Sequence, residues 1–334
     1  MTSAVQTSHL AQRTLQLVDV RSESRSEAPA VALVRAVMPG SAAYDDGEAL
    51  LYGDGPVVLA GHLDTVPAQE NIPGRIDGGV VHGLGASDMK GGVAVMIELA
   101  RAGVPARYLF FTREEVPVAE SPLPALFATG LLADTELAVV LEPTDNELHA
   151  GCLGNLQARV TFHGESAHSA RPWTGVNAIH ELVRALAPLA ASEPRDVEID
   201  GLVFREVVSG VRVEGGIAAN VVPASASVEL NMRYLGTGAE ERLRALVPGG
   251  ELTVLSDSPS APPALDNPRL ARLRALVPVV KPKQAWTPVA QFAEQGIDAI
   301  NFGPGATAYA HRQDEQVPIA NLERCFETLR EFLS

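Results

Sequence analysis

Six residues offer the clearest chemistry in this chain. They are His62 in Gly61-His62-Leu63-Asp64, Asp88 in Ala86-Ser87-Asp88-Met89-Lys90, the pair Glu114-Glu115, Glu142 in Glu142-Pro143-Thr144, and His311. Two imidazoles and several carboxylates suit zinc or a similar divalent ion. Two histidines are too few for two separate sites, and a carboxylate shared between two ions solves that count. Two ions about 3.5–4 Å apart activate one water and polarise a carbonyl together. Taken singly, each residue has an ordinary reading. A lone histidine is commonly structural, Asp88 ahead of a helix reads as an N-cap, and Glu114-Glu115 read as solvated charges at a strand end. Their shared context outweighs those readings.

That context is a series of short apolar runs, each followed by one of the six. Val57-Val58-Leu59-Ala60 precedes His62, Tyr108-Leu109-Phe110-Phe111 precedes Glu114-Glu115, and Leu137-Ala138-Val139-Val140-Leu141 precedes Glu142. Ile297 to Phe302 precedes the loop Gly303-Pro304-Gly305 and then His311. Such runs read as buried strands. Helices are expected from about Gly92 to Arg101 and from about Ala320 to Leu333, the latter with Leu322, Cys325, Phe326, Leu329 and Phe332 on one face. The alternation predicts an α/β fold, a mostly parallel-stranded sheet flanked by helices. In such a sheet, sites form at the carboxyl ends of strands, so all six residues should meet at one edge. The other histidines, His9, His82, His149, His163 and His180, lack that context and read as structural.

The middle of the chain has a different rhythm. Gln157 to Phe162, Val207 to Val213 and Ser225 to Tyr234 alternate as half-exposed strands, while Asn177 to Leu186 and Ala239 to Leu246 read as helices. The prediction is an inserted α+β domain over residues 155–260, interrupting a catalytic domain of residues 1–154 and 261–334, with the Pro-rich stretch Ser256 to Pro268 carrying the chain back. There is no internal repeat.

Composition narrows the function. The 334 residues are long for one core, and 46% apolar with 20% charged residues is a globular composition. A net charge of -15 repels phosphate backbones, so no nucleic-acid partner is expected. No apolar run is long enough to span a bilayer, and Met1 to Gln16 lacks the pattern of a secretory signal, so a cytoplasmic protein without a membrane partner is expected. Cys152 and Cys325 read as buried thiols rather than a disulfide framework. A dinucleotide-binding oxidoreductase fits the alternation but fails on the missing G-x-G-x-x-G turn.

With these motifs in hand, the sequence resembles the M20 metallopeptidase family. Gly61-His62-Leu63-Asp64-Thr65-Val66-Pro67 is similar to its first signature, and Gly83-Leu84-Gly85-Ala86-Ser87-Asp88-Met89-Lys90-Gly91-Gly92 to its second. Glu114-Glu115, Glu142-Pro143-Thr144 and His311 follow in the family's order. The resemblance implies two Zn2+ ions, for which Co2+ can substitute. His62 and Glu142 would hold one ion and Glu115 and His311 the other, with Asp88 bridging and the Asp88-Met89 peptide cis. Asp64 would orient the His62 ring and Glu114 would be the general base. The insert resembles the family's lid and dimerisation domain, which implies a homodimer in which His168 helps the oxyanion in the partner's active site. Asn220 and Arg233 match substrate-carboxylate contacts, and Arg171 is a further cationic candidate.

The implied substrate is a small N-acyl amino acid. Ala150-Gly151-Cys152-Leu153-Gly154, Ala167-His168-Ser169-Ala170-Arg171-Pro172-Trp173 with Asn177-Ala178-Ile179-His180, and Ile300-Asn301-Phe302-Gly303-Pro304-Gly305 resemble the desuccinylase branch of the family. That branch implies hydrolysis of N-succinyl-LL-2,6-diaminopimelate to succinate and LL-diaminopimelate, a step of lysine biosynthesis. Thr287 and Gly303 are implied as further substrate contacts. One departure stands out: Trp286-Thr287-Pro288-Val289-Ala290 has proline where relatives carry aspartate, which removes a carboxylate near the substrate. The rival readings are an acetylornithine or acetyl-lysine deacetylase, a peptidase of the same family, or a metal-binding protein without catalysis. The retained Glu114 argues against the last.

Overall fold

Four apolar runs, too uniformly hydrophobic to leave either face in water, form the middle of an eight-stranded sheet. The computed structural model describes residues 2–334, with side chains from His9 onward; Met1, the head of the polar stretch, lies outside the described residues. The chain divides into two compact units. One takes the chain up to Gly151 with Pro263–Lys283 and Thr287–Ser334; the other takes Cys152–Pro262 with Gln284–Trp286.

In the first unit the strand order is Tyr44–Asp45, Ala49–Gly53, Arg107–Phe111, Val57–His62, Leu137–Val140, Ala299–Asn301, Leu148–Ala150 and Val280–Pro282. The four central strands, Arg107–Phe111 through Ala299–Asn301, run parallel to one another. Antiparallel neighbours join them on each side. Every residue of Val57–His62 is buried. The helix Ile319–Leu333 buries Leu322, Cys325, Phe326, Leu329 and Phe332, the predicted face. Cys152 and Cys325 are both buried thiols. A small antiparallel sheet of Arg75–Asp77, Val80–His82 and Gln316–Pro318 completes this unit.

Helix Gly91–Arg101 approaches the sheet closely because it begins with two glycines. A Cβ on Gly92 would stand 2.6 Å from the Leu141 carbonyl oxygen and 2.9 Å from the Leu141 Cβ. The glycine thus sets how near the turn bearing Asp88 comes to the strand end bearing Glu142.

The second unit is a five-stranded antiparallel sheet, ordered Arg195–Ile199, Leu202–Gly215, Ser225–Tyr234, Gly154–His163, Glu251–Ser258. Its strands alternate buried and exposed residues, as a sheet covered on one face should. Helices Ala178–Ala190 and Ala239–Leu246 supply the cover, packing Leu182 and Leu243 against Leu156, Val160, Val228 and Leu230. Asn177 caps the first helix, its side chain accepting from the Ile179 and His180 N–H groups.

Three expectations need adjustment. The strand read over Ile297 to Phe302 is only Ala299–Asn301, because the Ile297 N–H closes the preceding turn on the Phe292 carbonyl at 3.0 Å. The stretch Ser256 to Pro268 is not wholly a return linker, since Ser256 to Ser258 finish the edge strand Glu251–Ser258. Gln284–Trp286 groups with the second unit. The Gln284 side chain accepts from the Arg205 N–H at 3.0 Å and donates to the Val203 carbonyl at 3.2 Å. Among the described residues no helix is long and apolar enough to cross a membrane.

Gly92→Ala should destabilise the protein by about 1–3 kcal/mol, the usual range for an overpacked contact. A lower urea midpoint checks this; an unchanged midpoint means the helix has room to move.

Candidate metal centre

His62 is the last residue of its strand, and Glu142 follows the next strand by two positions. Glu114 and Glu115 lie three and four positions beyond Phe111, past Arg113 with its positive φ of 59°. Asp88 sits in an irregular turn with extended backbone (φ -126°, ψ 94°), and the Asp88-Met89 peptide is cis. His311 arrives on the loop after Ala299–Asn301 with φ 61°. All six expected residues belong to the first unit.

The Asp88 carboxylate stands between the two imidazoles. Its Oδ1 is 3.2 Å from His62 Nε2, and its Oδ2 is 3.5 Å from His311 Nε2. His311 Nε2 is also 2.9 Å from Glu115 Oε1, and His62 Nε2 is 3.9 Å from Glu142 Oε1. Donor atoms of His62, Asp88 and Glu115 lie within 4.8 Å of one another.

His62 shows which nitrogen is available. Its Nδ1 is 3.0 Å from the Asp64 backbone carbonyl, which can only accept, so in the neutral ring Nδ1 carries the proton and Nε2 presents its lone pair. Asp64, expected to orient this ring, also brings its carboxylate Oδ1 within 3.5 Å of Nδ1. It does more elsewhere: it accepts the Glu114 and Glu115 N–H groups at 3.0 Å each and the Ser24 hydroxyl at 2.7 Å. Burial opposes ionisation there, yet His62 and these donors hold the Asp64 carboxyl at about 2. It is a fixed anion that shapes the Glu114-Glu115 turn.

The electrostatics call for a cation. Burial, then the Asp88 charge, pushes Glu142 up to about 7. Burial, then Glu142, raises Glu114 well above the carboxylate range. The hydrogen bond that His311 donates to Glu115 leads the causes that push His311 up to about 9. Burial would lower His62, but Asp64 and Asp88 hold it well above its ordinary value. Glu142 Oε1 is buried without a hydrogen-bond partner. A buried orphan oxygen, crowded carboxylates and two imidazole nitrogens aimed at one of them are the donor set of divalent ions bound by nitrogen and oxygen. The residues fit such ions.

Four further residues hold the site, and sequence reasoning passed over all of them. Ser24 anchors Asp64 from the N-terminal segment. Lys283, 4% exposed, places its Nζ 3.8 Å from Glu142 Oε2 and donates to the Pro143 carbonyl at 3.3 Å. Lys90, 1% exposed, donates to the Val20 carbonyl at 2.8 Å, and burial brings it down to about 8. Glu315 accepts three N–H groups of the Asp88 turn. Only a positional hint existed, three residues between His311 and Glu315 and one between Lys281 and Lys283.

The expected substrate contacts divide. Gly303 is buried, with its N–H on Thr144 Oγ1 at 3.0 Å and its carbonyl taken by the Asn146 N–H at 2.9 Å. A Cβ there would meet the Leu141 and Glu142 carbonyl oxygens at 2.3 and 2.4 Å, so Gly303 seats the strand end that bears Glu142. Thr287 is buried, and Pro288 (φ -58°) leads into helix Val289–Glu294, where a missing N–H costs nothing. His168, Arg171, Asn220 and Arg233 lie in the second unit. There the Ser169 N–H donates to the Asn220 carbonyl at 3.0 Å, and His168 Nδ1 accepts from the Ala170 N–H at 3.0 Å.

An open, mostly parallel sheet with carboxylates and imidazoles gathered at its strand ends defines a metal-dependent hydrolase. The chain belongs to peptidase family M20/M25/M40, whose profile matches residues 58–334. It is 37% identical over 96% of both chains to a Mycobacterium tuberculosis protein with the provisional name succinyl-diaminopimelate desuccinylase DapE. It is 36% identical to the succinyl-diaminopimelate desuccinylase of Corynebacterium glutamicum, covering 83% of this chain and 80% of that one. Among solved structures it is similar to the Bacillus subtilis YXEP protein, described as a dinuclear metal-binding peptidase of family M20, with a TM-score of 0.71, 15% identity, and 99% and 98% of the two chains covered.

Metal binding at this cluster should release protons. Metal-free, His311 holds its proton up to about 9 and Glu142 to about 7. A ligand must be deprotonated, so zinc uptake at pH 7 releases protons and affinity rises as pH rises through this range. Calorimetry in buffers of different ionisation enthalpy checks it; a binding heat independent of buffer contradicts it.

Proposed function

We propose that the chain is a two-zinc amide hydrolase that cleaves N-succinyl-LL-2,6-diaminopimelate to succinate and LL-diaminopimelate, in the cytoplasm and as a homodimer. The observation that carries the two-ion reading is the Asp88 carboxylate, with one oxygen toward His62 and the other toward His311. The two named desuccinylases of similar length support the acyl group.

His62 and Glu142 would hold one ion and Glu115 and His311 the other, with Asp88 shared. When bound, the ions polarise the scissile carbonyl and lower the pKa of an attacking water. Glu114 takes the proton from that water and passes it to the leaving amine nitrogen, a role suited to a carboxyl whose proton affinity is raised by burial and by Glu142. Asp64 fixes the Glu114 backbone, so the base is held in place from behind.

A substrate with several carboxylates meets a protein of net charge -15, so attraction must be local. Arg171 and Arg233 are the proposed contacts, with Asn220 and His168 beside them in function. Arg233 is partly buried, burial lowers its pKa, and among the described residues no carboxylate lies at ion-pair distance from it. Exposed Val211 and Val213 on strand Leu202–Gly215 support the homodimer reading.

Succinate release from N-succinyl-LL-diaminopimelate by zinc-loaded protein, with N-acetylornithine alongside, tests the assignment. Turnover of the acetyl substrate alone would move the chain to the deacetylases of the family. Glu114→Gln should retain zinc and lose about 10²–10⁴-fold in kcat; undiminished turnover removes Glu114 from its role. Arg233→Ala should raise KM roughly 10- to 100-fold, the loss of about 1.5–3 kcal/mol for a charged hydrogen bond. An unchanged KM assigns the carboxylate contact elsewhere.

A further inference from the structure

Glu315 lies four residues after His311, on the loop that enters strand Gln316–Pro318. Its side chain is 2% exposed. Oε2 accepts the Gly85 N–H at 2.8 Å, while Oε1 accepts the Ser87 N–H at 3.0 Å and the Asp88 N–H at 2.9 Å. Its own carbonyl accepts from the Gly83 N–H at 2.9 Å. Four donors of one turn therefore end on one residue.

The turn needs such a partner. Asp88 has extended backbone, so its N–H group and those just before it cannot all be satisfied along the chain as in a helix. A cradle of neighbouring N–H groups is an anion site, and Glu315 fills it from within the protein. The loop is pinned at His311 as well. The His311 carbonyl accepts from Gln69 Nε2 at 2.9 Å and the Arg312 carbonyl from Asn71 Nδ2 at 3.2 Å. Two segments 227 positions apart are thus clamped beside the atoms that face each other as Asp88 Oδ2 and His311 Nε2.

We propose that Glu315 is a positioning residue of the metal centre: its buried carboxylate holds the Gly85–Asp88 turn against the His311 loop and so sets the spacing of the shared carboxylate and the second imidazole. It acts through Asp88 and His311 and touches no reacting atom. The proposal rests on reading those two residues as ligands and is independent of which acyl group is cleaved.

The test is zinc titration of metal-stripped full-length protein against a competing chelator. Glu315→Gln keeps an acceptor for Ser87 and Asp88 but sets an NH2 group against the Gly85 N–H. Glu315→Asp keeps the charge and withdraws it by one methylene. Both should weaken zinc binding about 10- to 100-fold at one or both sites, as loss of a ligand's supporting partner does. Glu206→Gln is the control for general destabilisation. That carboxylate is also buried, accepting the Leu235 N–H and Arg195 Nε at 2.7 Å each in the other unit. It should lower the melting temperature and leave zinc affinity unchanged.

Wild-type zinc affinity in folded Glu315→Gln overturns the proposal, and so does an equal loss of affinity in Glu206→Gln. Wild-type protein that takes up no zinc overturns the centre and Glu315's role with it. Wild-type protein that binds zinc but releases no succinate overturns only the substrate assignment, because turnover does not enter the zinc readout.

Discussion

The constraint on which this structure turns is the crowding of carboxylates around Asp88. Asp88, Glu114, Glu115 and Glu142 meet in a pocket of low exposure, where Glu142, Glu115 and Asp88 raise the proton affinity of Glu114, and Asp88 and Glu115 that of Glu142. Two like charges 4 Å apart repel by about 4 kcal/mol at an effective dielectric of 20. Four of them cannot all ionise there without compensation. Lys283 near Glu142 offsets part of the charge, and the two histidines, held protonated by the same carboxylates, offset more. Such a cluster suits an exchange of protons for divalent cations, since a ligand must be deprotonated to bind.

Imposing that repulsion needs a rigid frame, and the frame is built from two other carboxylates that never approach the reacting atoms. Asp64 gathers the Glu114 and Glu115 N–H groups with Ser24, and Glu315 gathers the Gly85, Ser87 and Asp88 N–H groups. Both are buried acids paired with backbone donors, which favour the charged form against the cost of burial. The environments differ in degree. Asp64, with an imidazole beside it, is held at about 2, whereas burial dominates at Glu315 and lifts it to about 7. Glycines complete the frame by close approach: Gly92 and Gly303 bring helix and loop onto the Leu141–Glu142 backbone from two sides.

Most of this was legible where burial is two-sided. Runs such as Val57 to Ala60 are apolar without alternation because helices cover both faces, and the expected ligands follow them at the strand ends. The alternating strands of the inserted unit were legible for the opposite reason, one wet face each. Edge strands were not. Arg195–Ile199 carries charges on an exposed edge, and Glu251–Ser258 shifts register between Val254 and Ser256, which breaks the period. The supporting residues were illegible for a different cause. Asp314 and Glu315 are adjacent acids in one polar loop; the first is exposed and pairs with Arg312, the second is buried beneath the metal site. Residue type cannot separate them, because the difference lies in which backbone donors the fold brings within reach.

Pro288 shows the same division between frame and chemistry. As a break in a family pattern it threatens both a backbone donor and a carboxylate. The structure removes the first concern: Pro288 stands at the entrance of Val289–Glu294 with φ -58°, where no N–H is called for and its ring is preorganised for the helix. The Gln291 N–H still closes on its carbonyl at 2.9 Å. What changes is charge alone. Its loss leaves the cluster of His62, Asp88, Glu115, Glu142 and His311, which other strand ends and turns supply, as it is.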